Sequence, residues 1–213
     1  MERQLSPFDR FLSVVDDALR TASGVMPEPA RANPAAHRDC AELSEDERRH
    51  VSGLMRINHT GEICAQALYA GQAATARSAE VKAEMAHAAE EEIDHLVWCQ
   101  ERLDELHARP SVFNPIWYAG AFAIGAAAGL AGDGWSLGFV KETELQVEAH
   151  LAGHIGELPA GDGRSAAILE QMKEDEAKHA QMASDSGAYE LPEPIKQIMR
   201  VSAGFMKSVA YRF

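Results

Sequence analysis

Two Glu-x-x-His pairs, Glu92/His95 and Glu176/His179, lie in long stretches rich in Ala, Glu and Leu, and each has a glutamate at a matching distance across a turn. On a helix, residues three apart share a face, so each pair can direct a carboxylate and an imidazole at one point. The motif alone is weak, because Glu47/His50 and Glu84/His87 also carry it. Register separates them. In an antiparallel hairpin, residues equidistant from the turn lie level. Counted from Ser78, Glu62 stands 16 residues before the turn and Glu92 stands 14 after it. Counted from Ala160, Glu144 stands 16 before and Glu176 stands 16 after. Glu84 is only 6 residues past Ser78, which leaves it roughly two helical turns out of level. Glu47 stands three residues after Ser44 and is better explained as part of a capping box.

These registers rest on an all-α reading. Ser44 with Glu47 opens a helix predicted from about Glu45 to Arg77. A second runs from just after Ser78 to His107, where Arg109-Pro110 stops it. Asp133-Gly134 reads as a turn, followed by a helix from Ser136 to Gly156. Pro159 to Gly163 is a loop, a fourth helix spans Ser165 to Ser186, and a last one follows Pro192 and Pro194. The expected division is an N-terminal part over residues 1–43 and a bundle over 44–213. The first part holds an amphipathic helix over Pro7 to Thr21 and a linker containing Pro27, Pro29 and Pro34.

The acids occupy apolar faces rather than the faces opposite. Leu54, Met55, Ala65 and Tyr69 flank Glu62, and Leu137, Val140, Val147 and Leu151 flank Glu144. Burying four facing carboxylates is costly unless cations hold them. A bundle site for two metals takes one Glu from each of two helices and a Glu-x-x-His from each of the other two. Glu62, Glu92, His95, Glu144, Glu176 and His179 supply that set. Carboxylate-rich sites with one imidazole per metal suit iron first and manganese second, whereas structural zinc favours thiolates.

Composition sets outer limits. A net charge of -13 disfavours nucleic acid, whose phosphates need a basic face. Cys40, Cys64 and Cys99 show no CxxC spacing and read as reduced thiols in a cytosolic protein. Met1 to Arg10 lacks the charged-then-apolar pattern of an export signal.

With those residues placed, the chain resembles the bacterial demethoxyubiquinol hydroxylases, ferritin-like di-iron enzymes of ubiquinone biosynthesis. The matching pieces are Asn58-His59-Thr60-Gly61-Glu62, Glu92-Ile93-Asp94-His95, Glu142-Thr143-Glu144 through His150, and Glu176-Ala177-Lys178-His179. The resemblance covers nearly everything after Ser44, and the NHTGE block with the apolar connector is its most specific part. It implies a tandem-duplicated four-helix core holding two iron ions on the same six residues. It also implies O2-dependent hydroxylation of the polyprenyl 6-methoxy-3-methyl-1,4-benzoquinol ring, with an external reductant such as NADH. A quinone-biosynthesis complex is the implied setting. Some members place Tyr after the histidine matching His150, but Leu151 stands here, so no tyrosine role carries over. His150, six residues past Glu144, is expected on the substrate approach rather than on iron. Asp94 and Asp175 are candidates to orient imidazoles on neighbouring helices. Two other readings are a ferritin-like protein for iron storage or peroxide reduction, and a metal-free helical scaffold.

Between Ser111 and Gly132 no charged residue occurs. A membrane span there would set the two hairpins on opposite sides of a bilayer and divide the site. Burial against the bundle with partial entry into lipid fits better, with Trp117 and Tyr118 suited to the interface. Gly125 and Gly129 permit close helix contact, for which a second copy of the chain is one candidate partner. The final helix joins Met199, Phe205, Met206 and Val209 to Lys196, Arg200, Lys207 and Arg212. A basic, apolar-faced helix favours a membrane surface. The expected location is therefore peripheral, on the cytoplasmic face of the cell membrane.

Overall fold

The computed structural model describes residues 28–213. The helix expected over Pro7 to Thr21 lies outside them. Among the described residues six helices follow one another: α1 (Glu45–Thr75), α2 (Ala79–Glu105), α3 (Asn114–Ala131), α4 (Asp133–Glu157), α5 (Gly163–Asp185) and α6 (Glu193–Ala210). No strand occurs among the described residues, only an isolated bridge between Cys40 and Asp162.

Local chemistry sets the helix ends. Ser44 Oγ accepts the Glu47 N–H, and the Glu47 carboxylate accepts the Ser44 N–H at 2.9 Å, so the capping box is complete. Ser78 caps α2, and Asp162 caps α5 by accepting the Ser165 N–H at 3.0 Å. The Asp133-Gly134 turn is a correction. The break falls at Gly132, whose φ of 120° suits glycine, and Asp133 already belongs to α4. Its carboxylate reaches across to accept the Arg77 and Ser78 N–H groups at 3.0 and 2.8 Å. It thereby ties the start of α4 to the α1–α2 turn.

Hairpins α1/α2 and α4/α5 form the bundle, with apolar layers at two heights. Val51, Met55, Trp98, Leu103, Leu151 and Ile168 fill one end. Tyr69, Val81, Met85, Leu137 and Val140 fill the other. The six expected ligand residues fall between these layers. A third cluster joins α3 to the first hairpin through Ile63, Ala67, Leu96, Tyr118 and Ala121.

The α3 contact overturns two expectations. A Cβ on Gly125 would overlap the Leu68 carbonyl, one on Gly71 the Phe122 carbonyl, and one on Gly129 the Thr75 hydroxyl. The Gly-x-x-x-Gly face therefore packs on α1 of the same chain rather than on a second copy. Tyr118 is buried in that seam and does not sit at an exposed interface. No helix among the described residues is long and apolar enough to cross a membrane.

The proline-rich stretch ahead of α1 lies along the bundle. Ala35 is buried in the core and Leu43 packs on it. Asn33 Nδ2 donates to Glu101 at 2.6 Å, and the Ala41 N–H donates to the Gly161 carbonyl at 2.9 Å.

Candidate metal centre

Glu62, Glu92, His95, Glu144, Glu176 and His179 are all buried, each at most 3% exposed. They form two overlapping groups: Glu62, Glu92, His95 and Glu176, and Glu92, Glu144, Glu176 and His179. Within each group one potential ligand atom per residue lies within 4.8 Å of the others. Glu92 and Glu176 belong to both groups, so they stand where carboxylates can bridge two cations. The helical phase explains the convergence: α1 and α4 each contribute one acid, α2 and α5 each an acid and an imidazole one turn on.

The imidazoles are arranged alike. His95 Nδ1 faces Glu92 at 3.0 Å and Glu176 at 3.4 Å, while its Nε2 turns outward to Asp175 Oδ2 at 3.2 Å. His179 Nδ1 faces Glu92 at 3.3 Å and Glu176 at 3.4 Å, while its Nε2 turns to Glu91 at 2.8 Å. Both rings thus present Nδ1 to the cluster and hold the outer nitrogen against a further carboxylate, the arrangement that fixes a metal-binding tautomer. Asp175 serves the neighbouring helix, as its place beside Glu176 leads one to expect. Asp94 does not orient an imidazole: it accepts the Ala30 N–H at 2.7 Å and the Arg31 Nε–H at 2.6 Å.

Charge within the cluster is self-compensating. Burial and the neighbouring Glu92 push the Glu62 carboxyl well above its ordinary range. Burial and Glu176 do the same to Glu144. Burial also acts upward on Glu92 and Glu176, but the two imidazoles outweigh it and hold both below the ordinary range. Burial disfavours charge on the histidines, yet the acids raise His95 well above its usual value and His179 to about 12. The acids and the two imidazoles that face them thus share charge across the cluster. Three inward atoms, Glu92 Oε1, Glu176 Oε2 and His179 Nδ1, face one another at 3.3–3.4 Å without completing a hydrogen bond. Four buried carboxylates converging with two imidazoles, two of the acids shared between the groups, form a donor set that a pair of cations would satisfy. The cluster fits a di-metal site.

Of the other Glu-x-x-His pairs, Glu47 completes the cap described above, and Glu84 accepts the Ser186 hydroxyl at 2.7 Å. His150 lies apart from the cluster and donates from Nε2 to Asn58 Oδ1 at 3.2 Å. His154 Nδ1 donates to the same oxygen at 3.1 Å. Three contributors escaped sequence reasoning. Tyr69 donates its hydroxyl to Glu144 Oε1, Glu91 backs His179, and Arg31 joins Asp94 to Asp175. Tyr69 shares the Glu62 face, seven residues on, and that helical phase is the available signal.

A four-helix bundle with a buried carboxylate–histidine cluster of this kind defines the carboxylate-rich di-metal class of helical proteins. Residues 49–210 match the model of the family described as Ubiquinone biosynthesis protein COQ7. A 3-demethoxyubiquinol 3-hydroxylase of Xanthomonas euvesicatoria pv. vesicatoria is 56% identical over 207 residues, 97% of this chain and 95% of that protein. Another of Cupriavidus necator is 57% identical over 206 residues, 96% of this chain and 99% of that protein. The chain belongs to the COQ7 family.

Proposed function

We propose that the chain hydroxylates the ring of a polyprenyl demethoxyubiquinol in ubiquinone biosynthesis, using two iron ions held by Glu62, Glu92, His95, Glu144, Glu176 and His179. The observation that carries the ligand assignment is the pair of buried groups that share Glu92 and Glu176. The reaction rests on near-full-length identity to proteins named for it. Manganese is the second choice of metal.

The bound metals would supply activation of O2 for attack on the electron-rich ring, with reducing equivalents from an external donor such as NADH. The chain's own contribution is positional. Glu62 and His95 would serve one metal, Glu144 and His179 the other, and Glu92 and Glu176 both. Tyr69 holds one Glu144 oxygen by its hydroxyl. The apolar layers above and below the cluster exclude water from it. His150 and His154, joined through Asn58, form a polar patch between α1 and α4, fit to line a substrate approach.

A hydrophobic substrate is best met at a membrane. Ile116, Ile124 and Leu130 of α3 and Ile198, Val201 and Phe205 of α6 leave broad apolar surface exposed. Edge-to-face contacts of Trp117 with Phe205 (6.0 Å) and Phe113 with Phe213 (6.3 Å) join the two helices into one face. That face supports peripheral attachment to a membrane, for which the cytoplasmic side is the proposed location.

The test is product analysis. Iron-loaded protein given O2, reductant and demethoxyubiquinone should form the hydroxylated quinone, with about two metals per chain expected for this site class. A Glu144→Ala strain should accumulate the demethoxylated quinone. Normal ubiquinone in that strain would overturn the assignment.

A further inference from the structure

The two halves of the centre differ in what stands behind them. His179 Nε2 leans on Glu91, whose side chain is 35% exposed and forms no other hydrogen bond or ion pair among the described residues. His95 Nε2 leans on Asp175, whose side chain is only 4% exposed. Asp175 is held in turn by Lys178 Nζ at 2.9 Å, Gln171 Nε2 at 3.2 Å and Arg31 Nη1 at 2.6 Å.

Arg31 belongs to no helix of the bundle. It lies on the stretch ahead of α1, 63 residues from Asp94 and 144 from Asp175 in sequence. Its Nε donates to Asp94 Oδ2 at 2.6 Å while Nη1 grips Asp175. The backbone N–H groups of Ala30 and Arg31 both reach Asp94 Oδ1, at 2.7 and 3.3 Å, which seats the stretch on α2. The guanidinium carbon lies 5.0 Å from the centre of the Trp98 ring, and Trp98 in turn packs 5.5 Å from His95. A planar fork with donors on two edges and an aromatic ring beneath it is a task for arginine; an ammonium supplies a single point charge.

We infer that Arg31 is a positioning residue for the metal centre: by clamping Asp94 of α2 to Asp175 of α5 it fixes the carboxylate behind His95, and so makes the His95 half-site the tighter of the two. The inference rests on the ligand assignment proposed above. A carboxylate behind a metal-binding imidazole typically changes metal affinity tenfold to a hundredfold, on the order of 10–100. Such a carboxylate acts only when its own orientation is held. Asp175 is held by Arg31 from the stretch ahead of α1 and by Gln171 and Lys178 of its own helix, whereas Glu91 is held by its histidine alone.

The experiment loads the full-length chain anaerobically with Fe(II), counts metal by mass spectrometry, and follows its removal by a ferrous chelator. Wild type should bind two irons and release them in two phases. Arg31→Ala should speed the slow phase roughly tenfold to a hundredfold and leave the fast one alone. Arg31→Lys, which keeps the charge and loses the fork, should fall between. Glu91→Gln should speed only the fast phase. Circular dichroism melts of the metal-free proteins monitor folding; should Arg31→Ala fail to fold, Arg31→Lys decides the matter. An unchanged slow phase in the Arg31 variants, equal acceleration of both phases, or one-phase release from wild type would overturn the inference. A wild type that binds no metal would instead defeat the ligand assignment beneath it.

Discussion

Histidines away from the metal cluster give the protein a readable response to acid. His59, His150 and His154 are pressed down chiefly by burial, to about 4, 3 and 4. Lys207 adds to the effect on the last two. An unfolded imidazole titrates near 6.5. Between those values the unfolded chain binds more protons, so the stability these groups contribute is complete above about pH 6.5 and drains away as pH falls toward 4 and 3. His154→Gln keeps an amide donor near Asn58 and removes the titration. Its acid limb should be shallower than wild type by up to about 1.4 kcal/mol per pH unit. Urea melts at stepped pH measure this, and parallel limbs would mean that His154 is solvated in the folded state. At this scale the six cluster residues were legible because helical phase and hairpin register are periodic. Arg31 was not, since it sits in a proline-rich stretch with no period and reaches partners far along the chain. Glu91 was hidden differently: it stands among Glu90 and Glu92, and composition cannot tell which acid of a run turns toward a neighbouring helix.

Helices place the site, and glycine places the helices. Where α3 crosses α1, backbone meets backbone at Gly71 and Gly125, so any side chain there must force the helices apart. Gly125→Leu should cost about 1–3 kcal/mol or more by overpacking, visible as a lowered melting temperature. Gly120→Ala is the internal contrast. It lies in the same helix with nothing within 4 Å of its would-be Cβ, and should stabilise by up to about 1 kcal/mol through helix propensity. Equal effects of the two would contradict the packing of α3 on α1. Five of the six helices among the described residues, and most of their ends, were legible because caps and prolines are local signals, whereas α3 read only as an uncharged apolar connector. The identity of the surface that α3 covers was not, because a Gly-x-x-x-Gly face states that something approaches closely without saying what. The same limit explains Asp133-Gly134. Its composition suits a turn, yet Asp133 enters α4 because it caps the neighbouring α1–α2 turn through the tertiary fold.

Across the whole molecule, charge and apolar surface pull in different directions, and their balance sets what would drive the membrane attachment proposed above. The net charge of -13 opposes approach to anionic lipid. The basic residues of α6 are partly spent within the chain: Lys196 pairs with Glu190 and Glu142, and Arg200 with Glu193. Lys207 and the neighbouring Arg212 make no ion pair among the described residues. Two free cations cannot dominate binding when salt screens them. The apolar face has more to offer. Ile198 is 66% exposed and Phe205 65% exposed, and burying such side chains is worth about 1.5–3 kcal/mol each. Attachment should therefore be driven by apolar insertion, with charge secondary. Co-sedimentation with neutral phosphatidylcholine vesicles should capture wild type and persist at roughly 0.5 M salt, where screening acts within about 4 Å. The Ile198→Glu, Phe205→Glu double variant should lose binding by about a hundredfold or more. Its metal content should match wild type, because neither side chain reaches the cluster. Capture that needs anionic lipid and vanishes with salt would reverse the ranking of the two forces, and would assign the membrane contact to Lys207 and Arg212.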